Sequence, residues 1–453
     1  MLLGALLSFR KQLMLAVALS AGFLAACSLV GDPLPQPTAV ARKALDLVLA
    51  EKYTDLRTML TPAATERLTV DFMQQRVGRE IQSFGKVTEI GPPVTAEDGD
   101  DTLVSFPVHF TGTTVNVQFT LEPSLQIAGL YLRPPDAPLP KIWQRPAYSN
   151  KAAFTKRDVT IGSDEWKLGG TLTVPVGKGP FPGVVLVHGP GPDDRDEQIY
   201  SNRMFRDIAE GLASRGIAVL RYDKRTLTYG DKMSTMPFTI EQETVEDAVR
   251  AVGVLRQQPE IAANRIYILG HSLGGYAAPR IAAQAGKIAG LIFLAANARP
   301  IEDVAFDQTE YIAHLDGDPT AKVQQRLDAL KAEVAKVKAL DPGQPVPQVL
   351  LGLPGIYFMD LRGYDPAAAA KKLPLPMLFL QGGRDFQITS KDFDIWKTAL
   401  AGRSNVQFKE YPALNNLFMS GEGKPSPREY LKQSNVDPMV IADLATWIDH
   451  RGK

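Results

Sequence analysis

The sequence is short of the residues that build disulfide frameworks and metal sites. Its 453 residues include one cysteine and five histidines, so it has no disulfide framework and no thiolate zinc site. An excess of charge of one sign is also lacking, because 50 Lys and Arg residues balance 50 Asp and Glu residues. This balance argues against nucleic-acid binding, which normally needs a basic surface. No metal-ligand spacing or glycine-rich phosphate loop occurs, and we expect neither a metal ion nor another cofactor.

What the sequence does contain is the apolar content of a globular protein. Apolar residues make up 45 % of the chain and charged residues 22 %, which indicates a sizeable hydrophobic core. No internal repeat is visible. A chain of this length has room for two or three domains of about 150 residues each.

The amino-terminal region predicts export and lipid attachment. Residues 1–26 are almost entirely apolar apart from two adjacent basic residues, and we interpret them as a signal peptide because the apolar stretch is too short to span a bilayer comfortably. Residues 24–27 (Leu-Ala-Ala-Cys) resemble a bacterial lipobox, which implies a lipid on Cys27 and a place in the cell envelope. Ser28 then favours the outer membrane, facing the periplasm, if the source is Gram-negative. An ordinary buried cysteine is the alternative.

A small α+β domain is predicted at residues 39–133, between a proline-rich tether at 27–38 and a linker at 134–150. Its apolar residues first recur at helical spacing and then alternate along strand-like runs such as 103–108. The domain contains no catalytic constellation. It resembles the small modules that commonly precede secreted hydrolases.

From residue 151 to residue 453, continuous apolar strands alternate with helices. This alternation indicates a mostly parallel sheet with helices on both faces. The predicted strands are 183–188, 217–222, 266–270, 289–295 and 376–381. Residues 298–372 interrupt the alternation with polar helices and Pro/Gly breaks, and we expect them to form a cap over one edge of the sheet.

The strongest motif is Gly-x-Ser-x-Gly at residues 270–274, which follows an apolar strand and precedes a helix. Glycines on both sides of Ser272 suit a strained turn that pushes the hydroxyl outwards. The N–H of Leu273 and the start of the helix would face developing negative charge. The motif therefore predicts a nucleophile at Ser272 and an oxyanion donor at Leu273.

With these residues the chain resembles the α/β-hydrolase superfamily over about residues 151–453. More narrowly, it is similar to a bacterial group of esterase or serine-aminopeptidase-like hydrolases. The motifs behind this resemblance are 188–197 (HGPGPDDRDE), 221–225 (RYDKR), 270–275 (GHSLGG), 380–385 (LQGGRD) and 411–418 (YPALNNLF). The resemblance implies an α/β-hydrolase fold with a cap, and a catalytic triad in the chain order Ser, acid, His.

The resemblance makes Asp385 the acid that would orient the imidazole and stabilise its charged form. The group carries its histidine in a Leu-Asn-His-Leu-Phe setting, where this chain has Asn416. A carboxamide cannot accept a proton near neutral pH, and loss of a triad member typically costs about 10⁴- to 10⁶-fold in turnover. The sequence leaves open whether Asn416 is a natural loss or an introduced inactivating change.

Another histidine would have to serve as the base if this chain is active. His450 is the only one that follows Asp385, and it ends a terminal helix. His314 lies in the predicted cap, from which it could reach Ser272. Structural roles are expected for the remaining histidines, His109, His188 and His271.

The loop after the first predicted strand differs from the common pattern as well. In many such folds the residue after the His-Gly pair donates the second oxyanion N–H, but Pro190 has none. Gly191 is the expected substitute, because glycine lets the backbone turn towards the oxyanion. Asp194, Arg195 and Asp196 are expected to form ion pairs that fix this loop, and binding of a substrate carboxylate is the alternative for Arg195.

These observations favour a lipid-anchored carboxylic ester hydrolase that acts on a small ester-like substrate through an acyl-enzyme on Ser272. Peptidase, thioesterase or lactonase activity is an alternative, because a fold does not fix its substrate. Two further hypotheses are an inactive binding protein that keeps the pocket and an envelope protein whose small domain is the working part. Neither the physiological substrate nor the oligomeric state follows from the sequence.

Overall fold

The computed structural model describes residues 36–135, 143–162 and 164–450. The predicted signal peptide and Cys27 therefore lie outside the described residues. The chain divides into two compact units, and the boundary along the sequence lies between Gln144 and Arg145. In the described part, none of the helices has both the length and the apolar character needed to cross a bilayer.

The smaller unit packs helices against one face of an antiparallel sheet. Its strands are β1 (Val87–Ile90), β2 (Val94–Asp98), β3 (Asp101–Phe110), β4 (Thr114–Leu121) and β5 (Ile127–Arg133). They are ordered β1-β3-β4-β5, with β2 also paired to β3. Its helices are α1 (Gln36–Leu49), α2 (Tyr53–Arg57), α3 (Pro62–Arg67), α4 (Val70–Phe72) and α5 (Arg79–Ser83), with a π-helical turn at Met73–Gly78. Leu45 and Leu56 from the helices pack with Val117 and Phe119 from β4 to form the core of this unit.

The larger unit is built on an eight-stranded sheet ordered β17-β16-β13-β12-β8-β11-β7-β6. Its strands are β6 (Phe154–Ile161), β7 (Leu168–Pro175), β8 (Phe181–Val187), β11 (Ala218–Tyr222), β12 (Ile261–His271), β13 (Gly290–Leu294), β16 (Met377–Gly382) and β17 (Val406–Tyr411). Strand β7 is antiparallel to both of its neighbours, β6 and β11, and all the other adjacent pairs are parallel. The sheet is therefore mostly parallel, as predicted. Two short hairpins lie outside it, β9 (Gln198–Ile199) with β10 (Asn202–Arg203) and β14 (Val349–Leu350) with β15 (Leu353–Pro354).

Helices cover both faces of this sheet. They are α6 (Met204–Ala213), α7 (Arg225–Thr228), α8 (Gly230–Ser234), α9 (Glu246–Arg256), α10 (Leu273–Gln284), α11 (Ile301–Ala313), α12 (Ala321–Lys338), α13 (Gly355–Leu361), α14 (Pro366–Lys371), α15 (Ser390–Ala399) and α16 (Pro438–His450), with a π-helical turn at Glu241–Val245 before α9. Along β12, Ile266 and Ile268 point into the core shared with α9 and α10, whereas Tyr267 and Leu269 point into the core shared with α6 and α16. This two-sided burial explains why the central strands have nearly continuous apolar runs.

The insertion between β13 and β16 contains α11 to α14 and the β14–β15 hairpin. It has a small core of its own, in which Val334 and Val337 of α12 pack with Leu350 and Phe358. Tyr357 of α13 reaches out of this insertion and donates a 2.6 Å hydrogen bond to Glu243, next to the central sheet. The segment predicted to be a cap is therefore largely helical and contacts the π-helical turn that precedes α9.

Candidate active site

Ser272 occupies a strained turn between β12 and α10. Its φ of 50° and ψ of −116° lie in a region that residues other than glycine rarely adopt, at a cost of about 1–3 kcal/mol. Its backbone N–H donates a 2.9 Å hydrogen bond to the Leu294 carbonyl at the end of β13, which holds the turn against the sheet. Among the described residues, the Ser272 hydroxyl has no hydrogen-bond partner. The turn thus leaves a free hydroxyl at the carboxyl end of the central strand.

Two glycines make this turn sterically possible. A Cβ on Gly270 would overlap the backbone of Gly274. A Cβ on Gly274 would overlap the Val187 carbonyl at the end of β8. In both cases the obstacle is backbone, which cannot move aside as a flexible side chain can. The spacing of the sequence motif therefore reflects the close packing of α10 on β12 and β8.

Leu273 is the first residue of α10, a helix of 12 residues. The N–H groups of the first turn of a helix have no acceptor within the helix, and they carry its partial positive charge. Leu273 directly follows the Ser272 hydroxyl, which suits the predicted role of its N–H as an oxyanion donor. That role stays a prediction.

Asp385 lies in the loop that follows β16 and is 7 % exposed. Its Oδ1 accepts hydrogen bonds from the backbone N–H groups of Gln387 (2.7 Å) and Ile388 (2.9 Å). Its Oδ2 accepts 2.8 Å and 3.4 Å bonds from the side-chain amides of Asn416 and Gln381. Burial nevertheless dominates and raises the pKa of Asp385 from 3.8 to about 6. The carboxyl is held in one orientation, with Oδ2 facing Asn416.

Asn416 lies in the loop after β17 and is 3 % exposed. Its Nδ2 is the group that donates to Asp385 Oδ2. The preceding Asn415 shapes the loop, since its Oδ1 accepts bonds from the N–H groups of Leu417 (3.0 Å) and Met419 (3.2 Å). The structure therefore brings the predicted acid and position 416 into direct contact, while the carboxamide offers no basic nitrogen.

None of the five histidines forms a hydrogen bond with Ser272. His314 is exposed at the end of α11, where its Nδ1 contacts the Glu310 carbonyl at 2.9 Å, so this structure does not bring it to the nucleophile. His450 is exposed at the end of α16. His109 contacts Thr114 in the smaller unit. Among the described residues, no histidine is placed as a replacement base for Ser272.

The two remaining histidines are buried and have structural partners. The Nε2 of His188 lies 3.1 Å from the Asp194 carbonyl, and burial lowers the pKa of this histidine to about 4. At neutral pH His188 is therefore uncharged and donates to the loop, which agrees with the expected bracing role. His271 pairs with Glu197 at 3.0 Å, and its other ring nitrogen lies 3.2 Å from the Asn416 carbonyl.

The backbone N–H groups at residues 189–193 are all engaged or missing. Gly189 donates to Glu197 Oε1 (2.6 Å), and Asp193 donates to the Gly191 carbonyl (3.2 Å). Pro190 has no N–H, and neither does the proline at position 192. Gly191 donates to Glu243 Oε1 at 3.3 Å. The prediction that the Gly191 N–H faces the oxyanion is therefore wrong for this structure, because a buried carboxylate takes that N–H.

Glu243 is a buried carboxylate that contacts this loop directly and through Lys224. Its Oε1 also accepts a 2.8 Å bond from the Lys224 ammonium, which donates a second bond to the Gly189 carbonyl at 2.7 Å. Burial alone would raise the pKa of Glu243, but Lys224 and the hydroxyl of Tyr357 outweigh burial and lower it. Glu243 is thus an ionised carboxylate that ties the loop to the helical insertion. Sequence reasoning missed it, because position 243 carries no motif.

Two of the three residues predicted to form ion pairs in this loop, Arg195 and Asp196, form them. Arg195 binds Asp223 through two side-chain nitrogens, at 3.2 Å and 2.8 Å. Asp196 pairs with the buried Arg221. Asp194 Oδ1 accepts hydrogen bonds from the backbone N–H groups of Asp196 (3.0 Å) and Gln198 (3.1 Å). Because Asp223 already neutralises the Arg195 guanidinium, the structure favours the loop-fixing role over the binding of a substrate carboxylate.

The described residues contain no cluster of three or more His, Cys, Asp or Glu side chains that would hold a metal ion. The groups that the described residues bring to this site are a serine hydroxyl, a helix N-terminus and a buried carboxyl with its amide partner.

The fold and the Ser272 turn define the class of protein. A protein-family model described as the alpha/beta hydrolase family matches residues 184–418. The chain belongs to this family. Among curated proteins it is similar to Esterase EstD of Thermotoga maritima, with 39 % identity over 370 residues that cover 82 % of this chain and 83 % of that protein.

Solved structures with low sequence identity were also matched. The esterase domain of a Rhodothermus marinus protein has 16 % identity and a TM-score of 0.40, covering 65 % of this chain and 98 % of that chain. An acylaminoacyl peptidase of Pyrococcus horikoshii has 13 % identity and a TM-score of 0.45, covering 81 % of this chain and 56 % of that chain.

Proposed function

We propose that this chain is a serine hydrolase of the carboxylic ester type whose own turnover is impaired at position 416. The observation that carries this proposal is the strained turn that leaves the Ser272 hydroxyl free beside the start of α10. The ester class is supported by the 39 % identical relative named Esterase EstD. The helical insertion beside the site favours a small, partly apolar ester as the substrate.

In the proposed reaction, as it would run in a chain with a histidine at position 416, the Ser272 oxygen attacks the acyl carbon while its proton passes to that histidine. Asn416 of this chain cannot accept the proton. The Leu273 N–H stabilises the oxyanion of the tetrahedral intermediate, which expels the alcohol as the base returns the proton to it. A water molecule that loses a proton to the same base then attacks the acyl-enzyme. The carboxylic acid leaves, and the Ser272 hydroxyl is restored.

Asn416 makes the hydrogen bond to Asp385 that a catalytic histidine would make, but it cannot accept the proton of Ser272. The 2.8 Å bond from Asn416 Nδ2 to Asp385 is the kind of contact that an imidazole N–H makes with the acid of a triad. An imidazole would offer a second nitrogen to take the proton of Ser272, whereas a carboxamide has no such atom. We infer that Asn416 preserves the orientation of the loop and abolishes general-base catalysis.

A second candidate function is a catalytically inactive binding protein with the same pocket. It is favoured by the amides at positions 189–193, none of which is free to stabilise an oxyanion. The retained Ser272 turn and the buried Asp385 favour the hydrolase, because a binding protein needs neither a strained serine nor a carboxyl at this point. Peptidase or thioesterase activity would use the same groups.

Hydrolysis of a short-chain p-nitrophenyl ester tests the proposal. We expect slow turnover by the parent chain, a large increase in Asn416→His, and no increase when Ser272→Ala is added to that variant. If the parent is already fast and Asn416→His adds nothing, another group is the base. If Asn416→His is folded but inactive on ester, thioester and peptide substrates, the binding protein is the better account.

We also propose that the chain is exported and anchored to a membrane of the cell envelope through a lipid on Cys27. This proposal rests on the sequence alone, because residues 1–35 lie outside the described part of the structure. Metabolic labelling with a fatty acid in a bacterial host tests it. Label in the parent and no label in Cys27→Ala is expected, and equal labelling of both would contradict the anchor.

A further inference from the structure

His271, directly before the nucleophile, contacts both loops that flank the site. Its Nδ1 lies 3.0 Å from Glu197 Oε2, in the loop after β8. Its Nε2 lies 3.2 Å from the backbone carbonyl of Asn416, in the loop after β17. The imidazole is 4 % exposed, so both contacts lie away from water, the one at Nε2 as a hydrogen bond and the one at Nδ1 as an ion-pair contact.

Glu197 links His271 to the backbone of the loop at 189–197. Its Oε1 accepts a 2.6 Å hydrogen bond from the Gly189 N–H, while its Oε2 faces His271. Position 189 lies close to this carboxylate, because a Cβ there would be 3.2 Å from Glu197 Oε1. A continuous chain of contacts therefore runs from Gly189 through Glu197 and His271 to Asn416.

The two acceptors on either side of His271 favour the doubly protonated ring. A neutral imidazole has one N–H and would satisfy only one of the two acceptors, whereas the imidazolium donates to both. Burial lowers the pKa of His271, but the Glu197 carboxylate outweighs burial and raises it. Burial raises the pKa of Glu197, and His271 outweighs that effect in turn. Asp385 also faces His271, and His188 is the second histidine near Glu197.

We propose that His271 and Glu197 are positioning residues that hold the loop at 189–197 and the loop at 412–418 in a fixed relation around Ser272. Neither residue exchanges a proton with the substrate. The proposal rests on the proposed function only for its effect on turnover, since the coupling of the two loops exists whether or not the chain is active.

Glu197 offers a sharp test because it touches only one of the two loops. If the contacts act as a connected chain, Glu197→Ala removes the partner of His271 and loosens the loop at 412–418, which Glu197 does not contact. Glu197→Gln is the matched variant. Its side-chain oxygen still accepts from Gly189, and its NH₂ can donate to the Nδ1 of a neutral His271, so both contacts are kept without the charges.

Hydrogen exchange of the full parent chain measures this coupling without any need for activity. In both Glu197→Ala and His271→Ala, we expect exchange at 189–197 and at 412–418 to accelerate by at least about 10-fold, with Glu197→Gln close to the parent. His188→Gln is the control, because His188 is hydrogen-bonded to the first loop and its ring packs on Phe205 and Tyr222. Acceleration confined to 189–197 in Glu197→Ala would overturn the proposal. If His271→Ala does not fold, the two Glu197 variants decide.

The effect on turnover is measured in the Asn416→His background. There Glu197→Ala is expected to lower kcat by about 10-fold or more with little change in KM, because small displacements of reacting groups are costly. Glu197→Gln should restore most of kcat.

¹⁵N NMR of the ring should find His271 doubly protonated at neutral pH in the parent and neutral in Glu197→Gln. A neutral ring in the parent, or equal kcat in both Glu197 variants, would contradict the proposal. An inactive Asn416→His chain would count against the proposed function and leave the exchange result to decide the coupling.

Discussion

The turn around Ser272 and the loop around Asn416 follow the carboxyl ends of two parallel strands of one sheet, β12 and β17, yet they differ in what they retain. The turn has the strained φ, the two space-limited glycines and the helix start that a nucleophile needs. The loop has the buried contact with Asp385, the Asn415 bonds that shape it and the carbonyl bound by His271. What it lacks is one basic nitrogen. The comparison teaches that a catalytic loop can keep its fold while losing its chemistry, because a carboxamide makes the same structural hydrogen bond as an imidazole.

The largest effect is expected from restoring the base. In Asn416→His, kcat for a p-nitrophenyl ester should rise by about 10⁴-fold or more over the parent, because a triad without its histidine loses about that much. Steady-state kinetics provide the measurement. Asn416→Gln is the matched control, since it keeps a carboxamide and should stay at the level of the parent. A comparable rise in both variants would show that the base is not what the loop lacks.

The turn itself can be broken sterically. Gly274→Ala would place a Cβ against the Val187 carbonyl, and we expect it to lower the free energy of unfolding by about 3 kcal/mol or more, at the upper end of overpacking costs. Gly230→Ala is the control, because no atom lies within 4 Å of the Cβ it would add. Urea denaturation of both variants measures the difference. Equal stability of the two variants would mean that α10 is not packed as closely on β8 as described.

Burial of Asp385 should make the free energy of unfolding depend on pH. The pKa of Asp385 is raised from 3.8 to about 6 by burial, which corresponds to at most about 3 kcal/mol. This contribution to stability is present below about pH 4 and is lost as the pH rises through about 6. Asp385→Asn should therefore be more stable than the parent at pH 8 and equal to it near pH 4. Thermal denaturation at both pH values checks this, and a destabilised Asp385→Asn at pH 8 would show an ionised, well-solvated carboxylate.

The smallest effect concerns the oxyanion side of the site. In the Asn416→His background, Pro190→Ala supplies a new N–H after the His-Gly pair and should raise kcat by about 10-fold, part of the 10²- to 10³-fold that one well-placed donor contributes. Pro192→Ala adds an N–H elsewhere in the same loop and should have little effect. Equal gains in both variants would point to loop mobility instead of a restored donor.

Most of the sheet could be predicted from the sequence because the central strands are buried on both faces. The five predicted strands are found within a few residues of their expected ends, although β12 also extends towards its amino end. The sequence analysis did not identify β6, β7 or β17. Both β6 and β17 are edge strands with several exposed positions. Edge strands lack the continuous apolar run that marks a central strand, so their sequence signal is weaker.

The site was predictable to the extent that it depends on local motifs. The Ser272 turn follows from glycine sterics, and the Asp385–Asn416 pair follows from resemblance in chain order. The roles of Glu243 and Glu197 could not be predicted, since each acts through partners that are distant along the chain, such as Lys224 and His271. The error at Gly191 has the same cause, because its N–H is taken by a carboxylate 52 residues away.

The Ser272 site retains its nucleophile and its acid and lacks its base. Covalent labelling of Ser272 by a fluorophosphonate, followed by mass spectrometry of the modified peptide, tests this most directly because it reports on the nucleophile alone. The account predicts rapid labelling of Ser272 in Asn416→His and labelling at least about 10³-fold slower in the parent chain. Equally fast labelling of Ser272 in both chains would contradict it, because the parent would then have an active base.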